Sequence, residues 1–422
     1  MRRLYRTFRS FDRPSQVLMV NQFTINLGFY MLMPYLAAYL AGPLALAAWA
    51  VGLVLGIRNF SQQGMFLVGG TLADRWGYKP LIVAGCLIRV IGFILLACAT
   101  SLPAILIASA ATGFAGALFN PAVRAYLAAD AGERRVEAFA VFNVFYQAGI
   151  LLGPLVGLAL TALDFRLTSL CAAGIFAILT IVQIKALPSA KPPASDNSVV
   201  QDWRTVLVNR RFLLFAVAMT SSYVLSFQIY LALPLHADRI ADSPTAATGV
   251  VTAMFAVTGL VAIAGQLRIT SWFARKWGNA GSLSVGMAVM AAAFLPLIVT
   301  TTTDQGNLAV NIAALLLTAA ILAAATAAVF PFEMDTMIGL ANGKLVATHY
   351  GLYNTIVGAG ILLGNAVTGW LYSVAATQGR AELIWVVLLL TGTASASALF
   401  VLNRRGWLAL DVGLGREVAT SQ

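Results

Sequence analysis

Twelve stretches of this chain are each long and apolar enough to cross a lipid bilayer. A spanning helix needs about 20 mostly apolar residues. Such runs occupy roughly 16–40, 46–72, 79–100, 103–125, 138–160, 166–187, 212–235, 245–268, 280–300, 307–332, 346–374 and 382–403. Inside hydrocarbon every backbone polar group must be satisfied within the protein, and runs of this length do so as helices. An all-α membrane protein with twelve transmembrane helices is the expectation. Composition agrees: 60% of the 422 residues are hydrophobic and 10% are charged, against about 25% charged in a soluble domain. That balance excludes a soluble enzyme, a disordered chain and a disulfide scaffold. The three cysteines and two histidines have no metal spacing. No nucleotide loop of the GxxxxGK[ST] kind occurs, so ATP is not the expected driver. No cofactor is expected.

The net charge of +11 has a topological cause. With the N-terminus in the cytoplasm, 22 of the 27 Lys and Arg residues fall on the cytoplasmic side, three (Arg166, Arg239, Arg380) fall outside, and two (Arg58, Arg89) fall inside spans. This is the positive-inside distribution, so nucleic acid is not an expected partner. Both termini are expected in the cytoplasm, and the plasma (bacterial inner) membrane is the expected location. The basic start, MRRLYRTFRSFDRPS, reads as a cytoplasmic arm and not as a removed signal peptide.

A polar, proline-bearing stretch at 188–211 divides the spans six and six, giving two six-helix bundles at 1–187 and 212–422 joined by a cytoplasmic linker. The halves repeat. Tyr30-Met-Leu-Met-Pro34 matches Tyr230-Leu-Ala-Leu-Pro234 at an offset of 200, and Leu72-Ala-Asp-Arg-Trp-Gly77 matches Phe273-Ala-Arg-Lys-Trp-Gly278 at 201. Ala148-Gly-Ile-Leu-Leu-Gly153 recurs as Ala359-Gly-Ile-Leu-Leu-Gly364 at 211, and Asn143 and Asn354 keep that offset. A longer loop near Thr300–Asn307 accounts for the change of offset. Pseudo-symmetric bundles around a midplane site are a common transporter build, in which one half rocks against the other.

Polar stripes at helical spacing mark the candidate cargo cavity. They are Gln22, Asn26 and Tyr30 in span 1, Arg58 and Gln62 in span 2, Asn143, Tyr146 and Gln147 in span 5, and Ser222, Ser226 and Tyr230 in span 7. Polar groups facing lipid are costly, so these point inward, to touch cargo or to bond helix to helix. Arg89 lies about 15 Å deep at 1.5 Å per residue from Lys79, and no acid falls in any N-terminal span to pair with it or with Arg58. Intramembrane charges are functional hypotheses by default. The candidates for proton coupling are Glu333 and Asp335, at the cytoplasmic end of span 10, where a salt link between halves is one expected use. Gly149, Gly153 and Gly157 form one small-residue face of span 5, and Pro154 allows a bend there. That face suits close packing against a helix of the other half.

These residues resemble the major facilitator superfamily. Its signature after the second span stands here as Gly70-Thr-Leu72-Ala-Asp74-Arg75-Trp-Gly77-Tyr-Lys79, departing at Tyr78, where a basic residue is usual. The antiporter-branch signature reads Gly149-Ile-Leu-Leu-Gly153-Pro154-Leu-Val-Gly157, with Leu158 in place of a frequent glycine. Leu27-Gly28 and Pro34 resemble the span 1 pattern of drug:proton antiporters, whereas the arginine of span 4 is replaced at about Ser109. The stretch Arg58–Gln63, Arg89, Phe119-Asn-Pro121 and Asp164-Phe-Arg166 are similar to MdtH-type multidrug efflux proteins. The resemblance implies that Asp74 holds one half against the N-terminus of span 11, with Arg75 paired to a carboxylate below span 4, here Asp130. It implies a monomeric, non-enzymatic secondary transporter that exports small amphipathic compounds in exchange for protons. Two alternatives stay open: a carrier of an anionic metabolite, siderophore or lysolipid using Arg58 and Arg89, and a membrane scaffold or receptor that transports nothing.

Overall fold

The computed structural model describes residues 2–41, 43–46, 48–161, 163–188, 198–302, 307–378, 380 and 382–408. Most of the linker (189–197), the loop at 303–306, Lys191 and Arg416 lie outside the described residues. Seventeen α-helices and no strand occur among the described residues. They are α1 (Arg2–Arg9), α2 (Arg13–Tyr30), α3 (Met33–Ala41), α4 (Ala48–Gln63), α5 (Phe66–Trp76), α6 (Tyr78–Cys98), α7 (Leu102–Ala131), α8 (Arg135–Thr161) and α9 (Phe165–Ala186). After the linker come α10 (Val199–Val208), α11 (Arg210–Ser226), α12 (Ala232–Ile240), α13 (Pro244–Ala292), α14 (Leu295–Thr302), α15 (Leu308–Leu340), α16 (Val346–Gln378) and α17 (Glu382–Arg404).

Joining α2 with α3, α4 with α5, α11 with α12 and the end of α13 with α14, and dividing α13 at Gly278, gives twelve crossings. The breaks obey the internal repeat. Span 1 is interrupted at Met31–Leu32 and span 7 at Phe227–Leu231, so that the helices resume at Met33 and at Ala232, 199 residues apart. Pro34 and Pro234 cannot donate the helical hydrogen bond to the carbonyls of Tyr30 and Tyr230 four residues earlier, so both helices loosen at the same place. Spans 2 and 8 end at Gly77 (φ 94°) and Gly278 (φ 66°), a backbone region that favours glycine. These equivalent corners turn the chain sharply into the next span.

Each half has its own packed interior. Phe93, Phe139, Phe142 and Phe176 are buried in the first, and Phe212, Phe215, Phe294, Tyr353 and Trp385 in the second. The outer faces carry exposed apolar side chains such as Leu158, Ile178, Leu260 and Leu362, the surface of a protein solvated by lipid. Between helices lipid offers no hydrophobic drive, so close van der Waals fit and hydrogen bonds hold the bundle.

Candidate functional site

The two halves meet at the Asp74 end through two contacts at equivalent positions of the repeat. In the first, α5 lies on the start of α16. Asp74 is buried, and its Oδ1 accepts the Ala347 backbone N–H at 3.1 Å. Its Oδ2 accepts the Thr348 N–H and the Thr348 hydroxyl, both at 2.7 Å. The carboxylate thus satisfies orphan donors of a helix N-terminus, where the helix dipole also favours an anion. The approach is close enough to require glycine: a β-carbon on Gly70 would stand 2.1 Å from the Ala347 carbonyl oxygen, and one on Gly351 would stand 2.4 Å from that of Phe66. Leu72 packs against the core beside it, and Lys79 is half-buried at the start of α6.

In the second contact, α8 lies on α13 and α15. Arg135 Nε stands 2.9 Å from Asp335 Oδ1, and Asn279 donates to Asp335 Oδ2 at 2.9 Å. Deeper in, the Asn143 amide donates to Gln266 Oε1 at 2.7 Å, and Gln266 donates to the Ala327 carbonyl at 2.7 Å. A salt link between halves therefore exists, made by Asp335. Asp335 and Glu333 are both buried, because α15 continues to Leu340 and carries them inside the helix.

Arg75 pairs with Asp202 of the linker helix α10, not with Asp130 as the family resemblance implies. The distance is 2.7 Å and the Asp202 side chain is fully buried. Helix α10 folds back over the end of α5, where Trp203 Nε1 also donates to the Thr71 hydroxyl at 2.8 Å. Asp130 instead accepts a hydrogen bond from Ser15 at the start of α2.

The glycine face of span 5 also departs from expectation. It packs on α2 of its own half, not on the other half. β-Carbons on Gly149, Gly153 and Gly157 would stand 2.5 Å from the Phe23 carbonyl oxygen, 2.7 Å from Tyr30 Cβ and 2.0 Å from the Met31 carbonyl oxygen. The opposite face of α8 meets the other half, where Leu151 fills the space over Gly259. Pro154 lies inside α8, and its carbonyl accepts the Tyr35 hydroxyl at 2.7 Å.

The polar stripes form two groups. In the N-terminal half, Gln22 donates to Asn26 and Asn26 to the Tyr146 carbonyl. Tyr30 lies in electrostatic contact with Arg58, Tyr146 and Tyr230. Arg58 donates to Asn59 Oδ1 (2.8 Å) and Gln62 Oε1 (3.1 Å). Both Arg58 and Arg89 stack on Phe29, at 4.4 and 5.0 Å from its ring centre. Gln147 is half-buried. In the C-terminal half, Ser222, Tyr223, Ser226, Thr326, Phe330 and Glu333 line a cavity of about 50 Å³. Glu333 Oε1 accepts the Tyr353 hydroxyl at 2.5 Å. Tyr230 is 51% exposed and packs between Phe227 and Phe255.

The sequence pattern of the Major Facilitator Superfamily matches residues 18–365. The chain belongs to the major facilitator superfamily. An uncharacterized MFS-type transporter of Mycobacterium tuberculosis H37Rv is 61% identical over 394 residues, covering 93% of this chain and 94% of that protein. The multidrug resistance protein MdtH of Klebsiella pneumoniae 342 is 29% identical over 385 residues, covering 91% and 92%. Among solved structures, the E. coli fucose:proton symporter FucP (N162A) superposes with a TM-score of 0.71 at 14% identity, over 92% of this chain and 98% of that one. This superfamily is one of transporters, not enzymes, so the protein is a multi-pass membrane transporter of small molecules.

Three partners in this major facilitator were missed from sequence: Asp202, Gln266 and Arg135. Asp202 and Val206, four apart, are the buried face of α10. The Ser198–Gln201 capping box that starts this helix was a readable signal. Gln266 is a lone amide inside an apolar run, of the kind that marks an inward-facing position.

Proposed function

We propose that this transporter exports small amphipathic, drug-like compounds across the bacterial inner membrane by alternating access in exchange for protons. It works as a monomer, with the Asp74 end and both termini in the cytoplasm. The basic residues favour that orientation, and the MdtH relatives, named as multidrug resistance proteins, favour the cargo class. The observation that carries the reading is the pairing of a shut Asp74 end with a buried acid above it. Glu333 lines a cavity and receives its bond from Tyr353. A carboxyl so placed exchanges a proton for a cationic or polar cargo group, while Asp74 and Asp335 hold the halves together. Division of labour follows: Glu333 couples, and Asp335 latches.

Inverted vesicles with an imposed pH gradient test this. Labelled amphipathic drugs should accumulate, collapse of the gradient should stop them, and Glu333→Gln should transport without sensitivity to the gradient. Accumulation indifferent to the gradient in the unmodified protein would remove proton exchange. A second reading, carriage of an anionic metabolite, siderophore or lysolipid, is favoured by Arg58 and Arg89, neither of which has a carboxylate in ion-pair range among the described residues.

A further inference from the structure

The linker helix α10 is joined to one half and bonded to the other. It is followed by Asn209, whose Oδ1 accepts the Phe212 N–H at 3.1 Å and whose amide donates to the Leu340 carbonyl at 3.0 Å. That joint fixes α10 to α11 and α15 of the C-terminal half, and α10 also lies against α16. Its inner face is held by the N-terminal half: Asp202 takes Arg75 at 2.7 Å, and Trp203 donates to Thr71 at 2.8 Å. Parting of α5 from α16 must therefore break these two bonds or the joint at Asn209. The helix is a strap across the closed end.

The opposite face of α10 does not suit water. Val200, Arg204, Leu207 and Val208 share it at helical spacing, and the three aliphatic side chains are 73%, 51% and 65% exposed. The one acid of α10, Asp202, is turned inward and buried. From Trp203 to Arg211 the chain carries Arg204, Arg210 and Arg211 and no acid, and all three arginines are exposed. An exposed apolar strip rimmed by cations repels a second copy laid on it and fits a surface that is both acidic and apolar. The level of the helix fits as well. Thr71, which receives Trp203, lies five residues inside the end of α5 at Trp76, and Trp76 is itself exposed. Tryptophans gather where hydrocarbon meets headgroups, so α10 stands at the bilayer surface and not out in the solvent.

We propose that the outer face of α10 docks on acidic phospholipid headgroups of the leaflet at the Asp74 end, and that this docking stabilises the closed arrangement of the halves. Arg204 meets lipid phosphate, while Val200, Leu207 and Val208 enter the boundary between headgroups and acyl chains. Arg210 and Arg211 add to the attraction toward the anionic surface. A strap pinned in this way keeps Asp202 and Trp203 over the end of α5 and resists the swing that breaks their bonds. The proposal needs no particular cargo or direction of transport, so it stands apart from the export reading.

The test uses the full chain, with Cys86, Cys98 and Cys171 replaced, in vesicles of phosphatidylcholine alone or mixed with equal parts of phosphatidylglycerol. Nitroxides at Val200→Cys and Leu207→Cys should be reached by oxygen in preference to a nickel chelate in the acidic vesicles, as a lipid contact requires. Preferential access of the chelate at either site would overturn docking. Labels at Glu133 and Lys276, on the other contact between the halves, read closure by pulsed electron resonance. The closed-to-open ratio should rise at least about fivefold with phosphatidylglycerol, the scale of a single arginine at an acidic surface. Arg204→Gln combined with Arg210→Gln and Arg211→Gln should erase most of that rise and leave the ratio in phosphatidylcholine as it was. An equal ratio in both vesicles with the arginines intact would overturn the proposal. So would a full response in the triple variant, which would place the lipid's effect on other basic residues. Neither result bears on cargo or on proton exchange.

Discussion

The α5–α16 contact and the α8–α13–α15 contact stand at equivalent places in the repeat and are held by different chemistry. Val346 and Arg135, 211 apart, both open a helix at the same end of the molecule. In the first contact Asp74 caps that opening helix. In the second, the residue equivalent to Asp74 is Arg275, which is exposed, and the opening helix supplies the cation itself, Arg135, to Asp335. One contact is an anion on a helix terminus; the other is an ion pair supported by an amide. The difference teaches that the repeat preserves where the halves meet, while each meeting is free to choose its own bonds. Two unlike latches can also answer to different signals, which two copies of one latch could not.

Four experiments would break or sharpen this contrast. Asp74→Ala should have the largest effect, because it leaves the Ala347 and Thr348 N–H groups without acceptors. A bias of about 3 kcal/mol against the closed state, roughly a hundredfold, is expected at the upper end of conformational coupling, read as lost transport with protein still in the membrane. Arg135→Met should come next, at about 2 kcal/mol, reduced from the cost of a fully buried pair because the arginine is partly exposed. The exchange of Arg135→Asp with Asp335→Arg should restore much of it; failure of the exchange would mean that geometry and not charge holds the second contact.

The smallest effect is expected from Asn143→Ala, which removes one interhelical amide bond worth about 0.6 kcal/mol, measured as a modest loss of thermal stability in detergent.

Much of the fold was legible because lipid imposes simple rules. The apolar runs, the basic loops and the matched Trp76-Gly77 and Trp277-Gly278 corners all follow from local composition and spacing. The breaks before Pro34 and Pro234 were readable in principle from missing N–H donors, yet apolar length alone drew spans 1 and 7 as continuous. The site was less legible. A glycine face tells how closely a neighbour approaches and not which neighbour it is: the spacing of Gly149, Gly153 and Gly157 fits a partner in either half, and the partner is α2. Asp202 lay hidden because a polar linker gives no hydrophobic signal of folding back. Glu333 was drawn at a span end because α15 runs eight residues beyond the expected limit of 332 to Leu340. Arg124, at the edge of the expected span 4, is likewise buried inside a longer α7.

The central claim is that the halves move as bodies, so the two unlike contacts open together. Spin labels on exposed Trp76 and Lys344 span the first contact, and labels on exposed Glu133 and Lys276 span the second. Pulsed electron resonance distances should be recorded for each pair, with Cys86, Cys98 and Cys171 replaced, with and without Asp74→Ala. Lengthening of both distances when only the first contact is cut is the predicted result. Lengthening across Trp76 and Lys344 alone, with the other pair unmoved, would contradict it.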